Sequence, residues 1–175
     1  MKRKHWFIAE APLHLMLLPA VVLVFIFHYL PMFGIVMAYE SIRLPRRATS
    51  GSAGYDFFAP VGFELPAGGT IKIPTGVRAI IEDGWVLTLY PRSGLGFKFR
   101  FQLDNTVGVI DSDYARSDNE GHIFLKLTND NREGKGLRVP AGTAFAQGVF
   151  LPFGVTVDDD VQDVRNGGLG STTRV

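Results

Sequence analysis

The 175-residue chain contains no cysteine, which excludes a disulfide framework, a zinc ribbon and a thiol nucleophile and suits the cytoplasm without requiring it. It also lacks an excess of charge. The formal net charge is +1, so direct nucleic-acid binding driven by a basic surface is not expected. Charged residues make up 20% of the chain and hydrophobic ones 46%, a balance that excludes intrinsic disorder. There is no internal repeat and no low-complexity tract. The length accommodates one ordinary domain of about 100 to 150 residues with an appendage, and leaves no room for a second enzymatic domain.

In the appendage charge is missing altogether. Between Glu10 and Glu40 lie 29 residues without Asp, Glu, Lys or Arg, whereas a bilayer core about 30 Å thick needs only about 20 apolar residues in a helix. Residues 11–39 are therefore expected to form one apolar transmembrane helix, with Pro19 and Pro31 tolerated as they are in membrane helices. The basic tip Lys2-Arg3-Lys4 also fits a secretory signal, but the stretch is long for one and Val36-Met37-Ala38 is a weak cleavage site. A buried apolar segment is the third reading. Three basic residues in front face Arg43, Arg46 and Arg47 behind, so the flanking charges fix no membrane orientation.

Past residue 40 the texture changes. Nineteen of the 20 glycines and seven of the ten prolines lie there, punctuating short apolar runs as in an all-β domain. Strands are expected over residues 70–74, 77–81, 85–90, 122–128 and 144–151. No segment in this part sustains a helical period beyond two turns. From Glu40 onward the charges, 15 Lys and Arg against 16 Asp and Glu, nearly cancel.

The chemistry-bearing residues gather in the turns. Ala53-Gly54-Tyr55-Asp56 sets a carboxylate after a flexible glycine, and Pro91-Arg92-Ser93-Gly94 ends a strand with a guanidinium and a hydroxyl. Gly108-Val109-Ile110-Asp111-Ser112-Asp113-Tyr114 follows an expected hairpin at Asp104-Asn105. The chain closes on Arg165-Asn166-Gly167-Gly168-Leu169-Gly170-Ser171-Thr172-Thr173, whose amides, hydroxyls and arginine suit a polyphosphate. It lacks the Gly-Lys-Ser/Thr ending of a P-loop. Taken singly, each has an ordinary explanation: a solvated turn carboxylate at Asp111, a core tyrosine at Tyr114, a turn amide at Asn105, a frayed terminus at the end.

Taken in order, these turns carry a specific signal. Residues 38–175 resemble the trimeric dUTPases through five ordered motifs: Ala53-Gly54-Tyr55-Asp56; Pro91-Arg92-Ser93-Gly94-Leu95; Asn105 through Tyr114; Gly142 through Gly148 with Ala146-Gln147; and Arg165 through Thr173. The resemblance implies a homotrimer of distorted β-barrels of jelly-roll type that cleaves dUTP to dUMP and pyrophosphate. Such an activity limits uracil incorporation into DNA and supplies dUMP for dTMP synthesis. It further implies water attack on the α-phosphorus, with Mg²⁺ bound through the triphosphate and water rather than by protein ligands. Asp111 would orient and deprotonate the water. Tyr114 would lie under the deoxyribose, and Asn105, with the backbone of Gly108 and Ile110, would read uracil. Arg92, Ser93, Gly94 and Gln147 would bind phosphate oxygens. Arg165, Gly170, Ser171 and Thr172 would close over the β- and γ-phosphates, and Leu169 would lie over the base. Asp56 and Asp113 would support the site.

The implied organisation is an apolar helix over residues 1–37, a barrel over 38–164 and a flexible glycine-rich arm over 165–175. The chain departs from the pattern at Leu169, where the family usually carries Phe, at Ala144-Phe145, where an Arg usually precedes Ala-Gln, and at residues 115–120, an insertion after Tyr114. Residues 15–39 are also similar to the first membrane helix of binding-protein-dependent sugar transporter permeases, and a fused reading frame would place such a segment where a dUTPase has its first strand. A cytoplasmic catalytic domain, with membrane anchoring through the front segment, is the expected location. Two other functions stay open: a dCTP deaminase-type enzyme of the same fold, and a membrane-tethered module that binds nucleotide without catalysis.

Overall fold

A computed structural model describes residues 17–29, 42–163, 165, 167 and 168. The chain divides into two compact units, Met1–Glu40 and Ser41–Val175. In the first, residues 17–24 are α-helical and Phe25–Tyr29 widen into a π-helix. Among the described residues no helix is long and apolar enough to cross a membrane, and the expected transmembrane helix gains no support. The rest of the proposed span, residues 11–16 and 30–39, lies outside the described residues.

The second unit is mostly β. Ten strands form three antiparallel sheets: β1 (Arg46–Arg47), β2 (Tyr55–Phe58), β10 (Ala144–Pro152), β5 (Trp85–Pro91) and β7 (Gly108–Ile110) lie in that order in the largest. β3 (Phe63–Leu65) pairs with β9 (Leu137–Val139). β4 (Thr70–Pro74), β8 (Phe124–Asn129) and β6 (Phe101–Leu103) make the third. Alternation sets the faces. Along β8, Leu125, Leu127 and Asn129 turn inward while Lys126 is exposed, the period-two pattern of a half-buried strand. The sheets enclose one core that includes Phe57, Leu87, Leu89, Phe101, Leu127 and Phe145. Asn129, fully buried, donates to the carbonyls of Leu65 (3.1 Å) and Lys135 (3.0 Å), so a polar group ties β8 to the β3–β9 layer without an unmet hydrogen bond.

Two expectations need correction. Residues 77–81 form no strand. The Thr75 hydroxyl accepts from the Val77 amide (3.2 Å) and Gly76 turns at φ 70°, so the segment is tethered to its neighbour by Ile123 N–H to Val77 O (2.9 Å) rather than laddered. The turn at Asp104-Asn105 is real, with Thr106 N–H on Leu103 O at 3.0 Å, but it is not a hairpin. β6 pairs with β8, whereas β7 pairs with β5, so the turn carries the chain from one sheet to another. One short helix, α1 (Ser93–Phe99), follows β5.

Candidate active site

The crossing from β6 to β7 opens a cavity of about 680 Å³ between the two sheets, within the range that holds a nucleotide-sized ligand. Its wall includes Leu89 of β5, Leu103 of β6, Asn105 in the turn, Gly108, Val109 and Ile110 of β7, Tyr114, and Lys72 and Phe124 from the facing sheet. Space is tight at Gly108. A Cβ there would stand 3.1 Å from Leu89 Cβ, so a side chain would push into the strand beside it. Asp104, at the rim, accepts from Thr128 Oγ1 (2.5 Å) and pairs with Lys126 Nζ (3.0 Å). The Thr128 hydrogen bond, helped by Lys126, holds its carboxyl below the ordinary value despite some desolvation.

Beyond β7 the chain enters a 3₁₀ turn, Ser112–Arg116, with Asp111 extended at its start (φ −74°, ψ 161°). The turn points Asp111 and Asp113 toward one guanidinium. Arg165 donates from Nε to Asp113 Oδ1 at 2.7 Å and from Nη2 to Asp111 Oδ2, while Nη1 reaches Gly167 O at 3.4 Å. The arginine is 18% exposed and the carboxylates 48% and 43%, so solvent still reaches both acids. Arg165 also stands 5.9 Å over the Tyr114 ring, within cation–π range. Tyr114 is buried, its hydroxyl donating to His122 O (3.1 Å). Gly168 lies against it so closely that a Cβ would be 2.9 Å from Cε2.

A second cluster forms where β2, β10 and the end of β5 adjoin. Arg92 donates to Asp56 Oδ2. Gln147 is opposite Asp56 on one side and Tyr90 on the other, and its amide leans on Pro91 O at 3.5 Å. Gly54 makes room for that side chain, because a Cβ would meet Gln147 Oε1 at 2.9 Å. Ser93 and Gly94 are exposed on the first turn of α1.

The residues singled out from sequence thus fall into two sets. Asn105, Gly108, Ile110, Tyr114 and Arg165 line the cavity, and Asp111 and Asp113 join them through Arg165. Arg92, Ser93, Gly94, Gln147 and Asp56 form the other set and are not in that lining. Arg165 is on two carboxylates of its own chain. Leu169, Gly170, Ser171 and Thr172 lie outside the described residues. Sequence reasoning passed over Lys72 and Lys126, which face one another across β4 and β8. It also passed over Asn119, whose signal was its place in the segment 115–120 directly after a site residue.

The dUTPase family matches residues 40–173. The deoxyuridine 5'-triphosphate nucleotidohydrolase of Lactococcus lactis subsp. lactis is 41% identical over 145 residues, covering 80% of this chain and 95% of its own. That of Dictyoglomus turgidum is 36% identical over 143 residues, covering 76% and 92%. Among solved structures, the dUTPase from Streptococcus mutans superposes with a TM-score of 0.59 at 40% identity, covering 69% of this chain and 91% of its own. The dUTPase of phage phi11 of S. aureus, at 23% identity and TM-score 0.58, shares the fold. The family match begins at residue 40, and the similarity of residues 15–39 to a permease helix gains no support. The chain belongs to the dUTPase family.

Proposed function

We propose that the chain hydrolyses dUTP to dUMP and pyrophosphate. The observation that carries this reading is the cavity itself, which brings an amide (Asn105), a buried aromatic wall (Tyr114) and a solvent-reached carboxylate (Asp111) beside one arginine (Arg165). An amide offers a donor and an acceptor together, the complement of the uracil edge. The clamped Tyr114 ring leaves no space for a 2′-hydroxyl. Asp111, whose side chain is 48% exposed, orients a water molecule and takes its proton as that water attacks the α-phosphorus. Asp113 shares Arg165 and thereby steadies the guanidinium beside the acid.

The remaining phosphate contacts belong to the second cluster. Arg92, oriented by Asp56, would hold phosphate oxygens with Ser93, Gly94 and Gln147, and Arg165 would pass from the carboxylates to the β- and γ-phosphates with Gly170, Ser171 and Thr172, while Leu169 covers the base. Because the second cluster is not in the cavity of its own chain, the reading includes a homotrimer in which a neighbour's Arg92 completes each site. Exposed Val109, Phe150, Leu151 and Phe153 supply apolar surface for such contacts. Mg²⁺ fits as an ion carried by the substrate. Among the described residues no group of three or more carboxylates or histidines converges, and Mg²⁺ binds readily through phosphates and water, its chemistry there being to neutralise triphosphate charge. Arg92 and Arg165 would hold that complex through its phosphates. A cytoplasmic location for the catalytic domain belongs to this reading, because dUTP is a cytoplasmic metabolite.

The test is pyrophosphate release from dUTP, dTTP, dCTP and UTP with Mg²⁺ present. Release from dUTP alone is expected, since a pocket that pairs polar groups with uracil rejects the methyl, amino and hydroxyl analogues. Ammonia from dCTP would instead support the deaminase reading, and binding without release a non-catalytic module.

A further inference from the structure

The insertion at residues 115–120 has no part in the chemistry above, yet it is built onto Tyr114. The chain leaves the 3₁₀ turn and reverses through two consecutive left-handed residues, Glu120 (φ 57°) and Gly121 (φ 75°). Only glycine fits the second, because a Cβ would stand 2.6 Å from Ala115 Cα and 3.1 Å from Tyr114 O. The reversal sets Asn119 beneath the tyrosine hydroxyl. Its Nδ2 donates to Tyr114 Oη at 3.0 Å and to His122 O at 3.2 Å, and its Oδ1 accepts from Gly121 N–H at 3.2 Å. Ser117 Oγ stands 2.7 Å from both Asn119 Oδ1 and Tyr114 O, which share its one proton. Every donor and acceptor of the carboxamide is therefore engaged. The network also fixes which way the amide points, since the reverse orientation would set its NH₂ against the Gly121 N–H.

His122 carries this assembly into the sheet. Its Nε2 accepts from Gly76 N–H at 3.0 Å and its ring lies 4.3 Å from that of Phe124, a residue of the cavity wall. The tyrosine hydroxyl is thus held by Asn119 and His122 O, and Gly168 packs against the same end of the ring.

We propose that Asn119 is a positioning residue for sugar selectivity: by fixing the Tyr114 hydroxyl it holds the ring at the depth that excludes a 2′-hydroxyl. The proposal rests on the reading of Tyr114 as the wall under the deoxyribose. Without the tether the ring can tilt, and ribose gains the space that deoxyribose never needed. A hydrogen bond of this kind corresponds to about a 3- to 10-fold change in an equilibrium, which sets the expected loss of discrimination.

The experiment measures kcat/KM for dUTP and for UTP, with Mg²⁺, in the full chain and in Asn119→Ala, Tyr114→Phe, the double variant and Tyr114→Ala. Asn119→Ala and Tyr114→Phe should each lower the dUTP-to-UTP ratio about 3- to 10-fold, mainly by raising UTP turnover. The double variant should lose no more than Tyr114→Phe alone, because removing the hydroxyl already removes the Asn119 hydrogen bond together with the one to His122 O. A merely structural Asn119 would lower both substrates together and leave the ratio unchanged, which overturns the proposal. Additive losses in the double variant overturn it too. Tyr114→Phe keeps the ring and removes the tether from the other end, so an unchanged ratio there is decisive even if Asn119→Ala fails to fold. If Tyr114→Ala leaves the ratio unchanged, the reading of Tyr114 itself fails. If Tyr114→Ala shifts it and Asn119→Ala does not, only the role of Asn119 falls.

Discussion

Replacing Asp111 by asparagine keeps the side chain's shape and removes its capacity to take a proton. Two consequences can be separated on the geometry. For chemistry, general-base assistance contributes about 10² to 10⁴ in rate, and kcat should fall by that factor. For binding, Arg165 loses a charge-assisted bond to Asp111 but keeps one to Asp113 at 2.7 Å. A bond to a charged group contributes about 1.5 to 3 kcal/mol against about 1 for a neutral one, and with Asp111 48% exposed solvent screening brings the difference below about 1 kcal/mol. Affinity for dUTP should therefore change by less than about fivefold. Single-turnover pyrophosphate release under excess enzyme reads the chemical step, and equilibrium binding of a non-hydrolysable dUTP analogue reads affinity. A kcat within about threefold of the parent would refute the base assignment. Loss of affinity in step with kcat would show that Asp111 serves the fold or the arm, not the water.

Gly108→Ala should raise KM and lower stability by about 1 to 3 kcal/mol, since its Cβ would lie 3.1 Å from Leu89 Cβ; denaturant melts and steady-state kinetics check both. Thr128→Val should remove the hydroxyl that holds Asp104 below its ordinary value of 3.8. A depressed carboxyl stabilises the fold above its unfolded value and ceases to as pH falls through its folded one, so the stability gap between parent and variant should be full at pH 6 and shrink below about pH 3.8; thermal melts across that range would show a pH-independent gap if the reasoning is wrong. Co-refolding an Asp111→Asn chain with an Arg92→Ala chain should restore part of the activity if a neighbour's Arg92 completes each site, and no recovery would argue against sharing.

What the sequence discloses here depends on how far a residue's partner lies along the chain. The strand Thr70–Pro74 emerged from local alternation, and α1 is short enough to leave no period. Strands of two or three residues, such as β1, β3 and β9, fall below any periodic signal and exist because a distant partner supplies their hydrogen bonds. Residues 77–81 show the opposite case. Their composition favours a strand, but Gly76 and the Thr75 hydroxyl redirect the chain before a ladder forms. The turn at Asp104-Asn105 is local chemistry, whereas the sheets its flanks join are set by strands β5 and β8. The site divides the same way. Motif resemblance selected Asp111, Tyr114 and Arg165, but the docking of Arg165 on Asp111 and Asp113, 54 and 52 residues earlier, is a tertiary closure. Asn119 had no motif to mark it. Its role follows from a backbone reversal that only coordinates display.

The grip of Arg165 on two carboxylates changes the arithmetic of substrate capture. A guanidinium waiting in water would gain a whole new ion pair from a triphosphate. This one already has anionic partners on two nitrogens, so phosphate competes with the chain's own acids, and the gain is only the difference between two arrangements. On the proposed reading, the exchange would also leave Asp111 and Asp113 without their shared cation, two like charges on one turn, when the phosphates arrive. Both arrangements involve solvent-reached charges and weaken as ionic strength shortens the screening length to about 8 Å, so their difference is less sensitive to salt than either alone. On that reading, capture of the triphosphate by Arg165 would be a trade between anions.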